Sequence, residues 1–191
     1  MRVGVFVARM QPIHNSHMEI IKRACEENDS VHIFVSSAEK FGTDRNPFDY
    51  YTRNNLIKEA LKELHYSMHM KVEVHELSDW TSEDDFNAVK EWGRYLYYNI
   101  VNKTHSHQFK LYYSDKPEII NEWFEPGLKE RVEIVYLNRE EIYNGLSATM
   151  IRNAFELEDI EFVKENCPKI VSERFYHLRV RELELRKLAQ R

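Results

Sequence analysis

The chain has 191 residues, enough for one domain or for one domain with a helical appendage. Hydrophobic residues make up 42% and charged residues 31%, so a core can form beneath a well-solvated surface. The net charge of −5 argues against a general nucleic-acid binder, so any nucleotide site has to be a local basic pocket in an acidic protein. Cys25 and Cys167 are far apart and form no CxxC pair, which points to a reducing cytoplasm. No signal-peptide pattern precedes Arg9, and no apolar run approaches the length needed to cross a membrane, so no membrane association is expected.

In chain order, Val3, Val5, Phe6 and Val7 predict a short buried strand. Pro12 interrupts it, and the spacing of Met18, Ile20, Ile21, Ala24 and Cys25 then predicts a helix, with Asn15 and Ser16 as candidate N-caps. Between strand and helix lie Arg9, Gln11, His14 and His17. Histidines three apart at a helix start face the same way. The free N–H groups and partial positive charge of that terminus favour phosphate. A guanidinium and two imidazoles added there make a site for a polyphosphate that gains charge during reaction.

Val31–Val35 is the second strand expected, closed by Ser36, Ser37 and Ala38, and this strand–helix–strand unit should cross over right-handed. The polar loop 39–51 contains Arg45, Asn46, Pro47 and Phe48. A helix is expected from about Tyr50 through Leu64, with Leu56, Ile57, Ala60, Leu61 and Leu64 on its apolar face. Arg53 stands in its first turn, where the helix dipole disfavours a cation, which hints at an anionic partner. Residues 71–77 alternate as a third strand ending at Ser78 and Asp79. An aromatic-rich helix is expected over 86–101, followed by strands at 109–113 and 132–136 with a helix at 117–124 between them. His105 and His107 lack a third ligand nearby and read as surface. Asn144-Gly145 breaks the chain, and Ser147 should cap a helix carrying Ile151, Ala154 and Phe155. This gathers Ser147, Thr149 and Arg152 near one helix N-terminus, a second phosphate cradle. Residues 156–191 read as charged helices packed on the same domain or on a neighbouring subunit.

The run from Arg9 to His17, Arg-Met-Gln-Pro-Ile-His-Asn-Ser-His, resembles the HxGH-type signature of the nucleotidyltransferase superfamily, in the form found in archaeal-type nicotinamide mononucleotide adenylyltransferases. Ser147–Arg152 is similar to the second signature of that superfamily, and Arg45-Asn-Pro-Phe48 with Arg53 also matches, so the resemblance spans most of residues 3–155. It implies a Rossmann-like, doubly wound parallel α/β sheet of about five strands over 1–155, with residues 156–191 as a C-terminal helical extension. The reaction it implies joins ATP and nicotinamide mononucleotide to give NAD and pyrophosphate, in the cytoplasm, with Mg²⁺ held mainly by phosphates and water, in an enzyme that assembles as a homo-oligomer.

By resemblance, Arg9, His14, His17 and Arg152 would be catalytic, and ATP would contact these residues with Met10, Gln11, Ser114, Asp115, Ser147 and Thr149. Nicotinamide mononucleotide would contact Val7, Ala8, Ser36, Arg45, Asn46, Pro47, Asp79 and Trp92, with Trp80 a rival for stacking on its ring. Arg53 would brace the loop or the site. Transfer to nicotinate mononucleotide or phosphopantetheine, cytidylyl transfer, or a non-catalytic nucleotide sensor are the alternatives. Ala8, Ser16 and Ala148, which replace the residues usual in the family, are what a sensor reading would cite.

Overall fold

A computed structural model describes residues 1–79, 89–115, 120 and 122–191. Its five strands are β1 (Val3–Ala8), β2 (Ser30–Val35), β3 (Val72–Glu76), β4 (Phe109–Tyr113) and β5 (Val132–Tyr136). The helices are α1 (Asn15–Glu27), α2 (Tyr50–Leu61), α3 (Tyr66–His69), α4 (Val89–Thr104), α5 (Pro126–Lys129), α6 (Arg139–Tyr143), α7 (Ala148–Glu156), α8 (Ile160–Asn166), α9 (Lys169–Glu173) and α10 (Phe175–Ala189). Half of the helix expected over 117–124 falls outside the described residues, as does the start expected at Phe86 for the aromatic-rich helix.

All neighbouring strands pair in parallel, in the order β3-β2-β1-β4-β5. The chain leaves β1 toward β2 and β3, then returns to place β4 on the other side of β1. A crevice therefore opens beyond the carboxyl ends of β1 and β4, the usual ligand position in such sheets. Alternation along the strands serves two cores. Phe6, Ile33 and Val35 pack with α1, α2 and the C-terminal helices, while Val5, Phe34 and Leu111 pack with Leu96, Tyr97 and Ile100 of α4.

Several boundaries differ from the sequence expectation, among them the end of α4, at Thr104 rather than Val101. The N-cap of α1 is His14, with Asn15 and Ser16 already helical. The Asn15 amide donates instead to the Tyr143 hydroxyl at 3.0 Å and to the Glu165 carbonyl at 3.1 Å, a tertiary role that replaces local capping. The second helix stops at Leu61, because Lys62–Leu64 continue as turns toward α3.

The C-terminal helices share the main core through Val163, Cys167, Val171, Phe175 and Leu178, and the Phe155 and Phe175 rings stack 4.6 Å apart. Helix α10 also reaches the 39–51 loop. Arg181 pairs with Asp49 at 2.8 Å and Arg186 with Asp44 at 2.6 Å. Gly42, at φ +69°, lets the loop approach the Leu185 carbonyl so closely that a Cβ would lie 2.5 Å from it.

Candidate functional site

The crevice holds a cavity of about 590 Å³, within the usual range for small-molecule sites. The end of β1, the following turn, the start of α1, the end of β2, Asp79, α4, the end of β4 and the start of α7 surround it. Of the residues expected at a site, Val7, Ala8, Arg9, Met10, Gln11, His14, His17, Ser36, Arg45, Asp79, Trp92, Ser114, Asp115, Ser147, Thr149 and Arg152 all line it. Asn46 and Pro47 do not: both are buried beside Phe48, which Gln11 holds in the core. Trp80 lies outside the described residues.

The floor is set by two long-range clamps. The Gln11 amide behaves like a strand partner for Phe48, donating to its carbonyl at 2.9 Å and accepting from its N–H at 3.0 Å. That side chain is engaged in scaffolding, so it is the Gln11 backbone that remains for the cavity. Arg53 is fully buried and its guanidinium faces carbonyls rather than an anion. Its Nη1 donates to Arg9 O and Ser36 O, each at 2.8 Å, and Nη2 donates to Ser37 O at 2.9 Å. The first-turn cation is thus accounted for by the ends of β1 and β2, which corrects the hint of an anionic partner and matches a bracing role.

The two histidines form one unit. Their rings stack with centroids 3.7 Å apart, and the His14 N–H approaches His17 Nδ1 at 3.3 Å. With Nδ1 accepting, a neutral His17 carries its proton on Nε2, as a donor. His14 Nδ1 is buried without a partner. Burial, then the nearby Arg139 and Arg152 guanidiniums, lowers the His14 pKa to about 3. Burial followed by the charges of His14 and Arg139 holds His17 well below the usual imidazole range. Both rings are therefore neutral near pH 7.

Opposite them, Ser147 caps α7 by accepting from the Met150 N–H at 3.4 Å. Arg152 donates to the Thr149 hydroxyl at 2.9 Å and to the Gln11 carbonyl at 3.4 Å, bridging the two motifs across 141 positions of sequence. Burial, followed by the charges of Arg9 and Arg45, lowers the Arg152 pKa. Four guanidiniums, those of Arg9, Arg45, Arg139 and Arg152, thus face one cavity in a chain of net charge −5. Among the described lining residues the carboxylates are Asp79 and Asp115. Asp79 accepts from the Ser37 hydroxyl at 2.8 Å and pairs with Lys40 at 2.8 Å, while exposed Asp115 stands 3.9 Å from Arg139. The cavity keeps a strong positive field, suited to a multiply charged anion.

The other wall is aromatic. Trp92 meets Trp123 edge-on at 6.2 Å, and Trp123 meets Tyr113 at 5.5 Å, so a planar ring finds stacking partners beside the cationic end. Sequence reasoning missed Ser37, Tyr113, Trp123 and Arg139. Ser37 follows a strand end and Tyr113 ends a strand, which was a usable signal. Arg139 opens a five-residue helix that periodicity cannot reveal, and Trp123 reaches the cavity only because Gly93 lets α4 pack on its backbone.

Comparison with known proteins bears on the family and the fold. Residues 5–154 match the cytidylyltransferase-like family model. The chain is 32% identical over 147 residues to a nicotinamide-nucleotide adenylyltransferase of Picrophilus torridus, covering 77% of this chain and 75% of that one. It is 26% identical over 182 residues to the protein of that name from Saccharolobus solfataricus, covering 94% and 95%. Among solved structures, a bifunctional NMN adenylyltransferase/ADP ribose pyrophosphatase from Francisella tularensis, complexed with AMP and Mn ion, superposes with a TM-score of 0.70 at 17% identity. That alignment takes in 97% of this chain and 52% of that one, so the chain spans about half its length. A putative nicotinate-nucleotide adenylyltransferase from Vibrio parahaemolyticus superposes with a TM-score of 0.63 at 18% identity, covering 92% and 99%. At these identities the solved structures speak for the fold.

Proposed function

We infer the reaction from a plain premise: the chain belongs to the cytidylyltransferase-like family and, within it, to the archaeal-type nicotinamide-nucleotide adenylyltransferases. It is a nucleotidyltransferase that transfers the adenylyl group of ATP to nicotinamide mononucleotide, giving NAD and pyrophosphate. The observation that carries this reading is the cluster of four guanidiniums and two neutral imidazoles around one cavity of an otherwise acidic chain.

In the mechanism we propose, a phosphate oxygen of nicotinamide mononucleotide attacks the α-phosphorus of ATP. The new O–P bond forms as the bond to the β-phosphate oxygen breaks, and pyrophosphate leaves with that electron pair. The nucleophile is already ionised, so no general base is needed, and catalysis reduces to positioning and stabilising charge. His17 Nε2 would donate to the triphosphate, with His14 stacked behind it, and Arg9 would orient it. Arg152, Ser147 and Thr149 would hold the leaving pyrophosphate, while Met10, Gln11, Ser114 and Asp115 bound the nucleotide. Arg139 joins this set because its charge already acts on both histidines. Arg45 would meet the acceptor phosphate, and Val7, Ala8, Ser36, Asp79 and Trp92 would frame the acceptor, with Asn46 and Pro47 supporting it from the core.

A divalent ion, which we take to be Mg²⁺, draws negative charge from the phosphate oxygens when bound. The cavity presents imidazoles, hydroxyls and guanidiniums, and its two described carboxylates already face cations, Asp79 with Lys40 and Asp115 beside Arg139, so such an ion fits best carried on phosphate and water. Among the described residues, no helix is long and apolar enough to cross a membrane. The free, buried Cys25 and Cys167 support a reducing cytoplasm. A homo-oligomer is supported by exposed Tyr176, Val180 and Leu183 along α10.

The test is pyrophosphate release with ATP and Mg²⁺ across nicotinamide mononucleotide, nicotinate mononucleotide and phosphopantetheine, with NAD followed directly. NAD formed from nicotinamide mononucleotide is the expected outcome. Release with another acceptor alone would overturn the substrate assignment, and ATP binding without release would favour a sensor.

A further inference from the structure

Midway along β2 and toward the carboxyl end of β3, on the face covered by α4, three side chains meet that the reaction does not use. His32 of β2 lies across from Glu73 of β3, and the next inward-facing residue of β3, His75, lies across from Phe34. His32 Nδ1 and His75 Nε2 are 3.0 Å apart, and Glu73 Oε2 stands 3.9 Å from the first and 3.8 Å from the second. None of the three lines the cavity, and His32 sits about 13 Å back along β2 from Ser36 at ~3.3 Å per residue.

We propose that His32, Glu73 and His75 form a binding site for a divalent transition-metal ion of the zinc class, clamping the edge strand β3 onto β2. The geometry matches that role. Two ligands of a tetrahedral zinc ion, each about 2.0–2.1 Å from the metal, stand ~3.3 Å apart. The three separations here bracket that value, so small side-chain rotations bring all three atoms into one coordination sphere. Two imidazole nitrogens with one carboxylate oxygen are a donor set that suits zinc rather than Mg²⁺ or Ca²⁺. The imidazoles are held in place beforehand: their planes lie within 12° of parallel, His32 is 4% exposed, and His75 packs against Phe34 at 5.0 Å. Glu73, exposed at the sheet edge, marks the entrance, and a water completes the fourth position. Without a metal, one ring must present an N–H to the other. The ion takes the place of that proton, which moves to the outer nitrogen of the same ring as its tautomer changes. The inference does not depend on the adenylyl-transfer reading.

The experiment uses the full, untagged chain, stripped with a chelator and titrated with Zn²⁺ alone, with Co²⁺ absorption reporting coordination. One equivalent should bind and raise the thermal midpoint, and Glu73→Gln and His75→Gln should each weaken binding at least tenfold. Exposed Glu73 can be changed without disturbing the core, so the test survives if His75→Gln misfolds. A double His105→Gln/His107→Gln variant should bind like wild type. Three outcomes would overturn the proposal: no uptake by the wild type, uptake unchanged by Glu73→Gln, or uptake lost with His17→Asn and kept in Glu73→Gln.

Discussion

Replacing Arg53 with methionine removes the charge while keeping most of the side-chain volume, and so isolates what the guanidinium does. In the folded chain it supplies three strong bonds, two at 2.8 Å and one at 2.9 Å, to the carbonyls of Arg9, Ser36 and Ser37. Each charge-assisted bond contributes about 1.5–3 kcal/mol net. The three share one group and are not additive, and a buried cation carries a desolvation penalty that its loss relieves. The carbonyls left behind lie just beyond β1 and β2; that of Ser37 keeps the Lys40 N–H at 3.1 Å, while those of Arg9 and Ser36 lose their guanidinium donor. We therefore expect a loss of about 3–5 kcal/mol, a large part of the stability of a typical domain. With a urea slope of about 2–3 kcal/mol per molar, the unfolding midpoint should fall by roughly 1–2 M. Arg53→Lys keeps the charge and loses the fork, so it should fall between wild type and Arg53→Met. Urea titration followed by far-ultraviolet circular dichroism reads the midpoints, and the KM for ATP should rise in both variants because Arg9 and Ser36 shift. A methionine variant within about 0.5 kcal/mol of wild type would refute the bracing argument.

Three other expectations follow from the same geometry. His14 binds its proton less well folded, at a pKa of about 3 against an ordinary 6.5. Its contribution is therefore complete above the unfolded pKa and is lost as pH falls toward 3, at up to about 1.4 kcal/mol per pH unit. Urea midpoints at pH 7 and pH 5 should converge more in His14→Gln than in wild type, and identical slopes would contradict this. In Gly93→Ala the new Cβ would stand 1.6 Å from the Trp123 carbonyl oxygen, so the backbone must move. The cost should be at least ~1–3 kcal/mol, with a change in tryptophan fluorescence and a raised acceptor KM as Trp123 leaves the cavity wall. Asp49→Ala loses the α2 cap and the half-exposed Arg181 pair together, for about 1–2 kcal/mol. Asp49→Asn can keep the cap, so a urea midpoint no higher than that of the alanine variant would count against the cap.

The sequence by itself determined the parallel α/β class, the five strands and both anion-facing motifs. Those are local properties: β-prone apolar runs, the spacing of Met18, Ile20 and Ile21, and the placing of His14, His17, Ser147, Thr149 and Arg152 beside helix starts follow from backbone periods of two and 3.6. Only the tertiary structure decided which polar groups meet across the chain. Nothing local shows that Gln11 clamps Phe48, that Arg53 faces three carbonyls, or that Arg139 joins the histidines. The same holds for His32, Glu73 and His75, whose meeting depends on the register between two parallel strands joined by a long crossover. Strand order, register and burial decide whether a charged side chain reaches a ligand, a backbone carbonyl or another side chain, and these arise only when distant segments share one core.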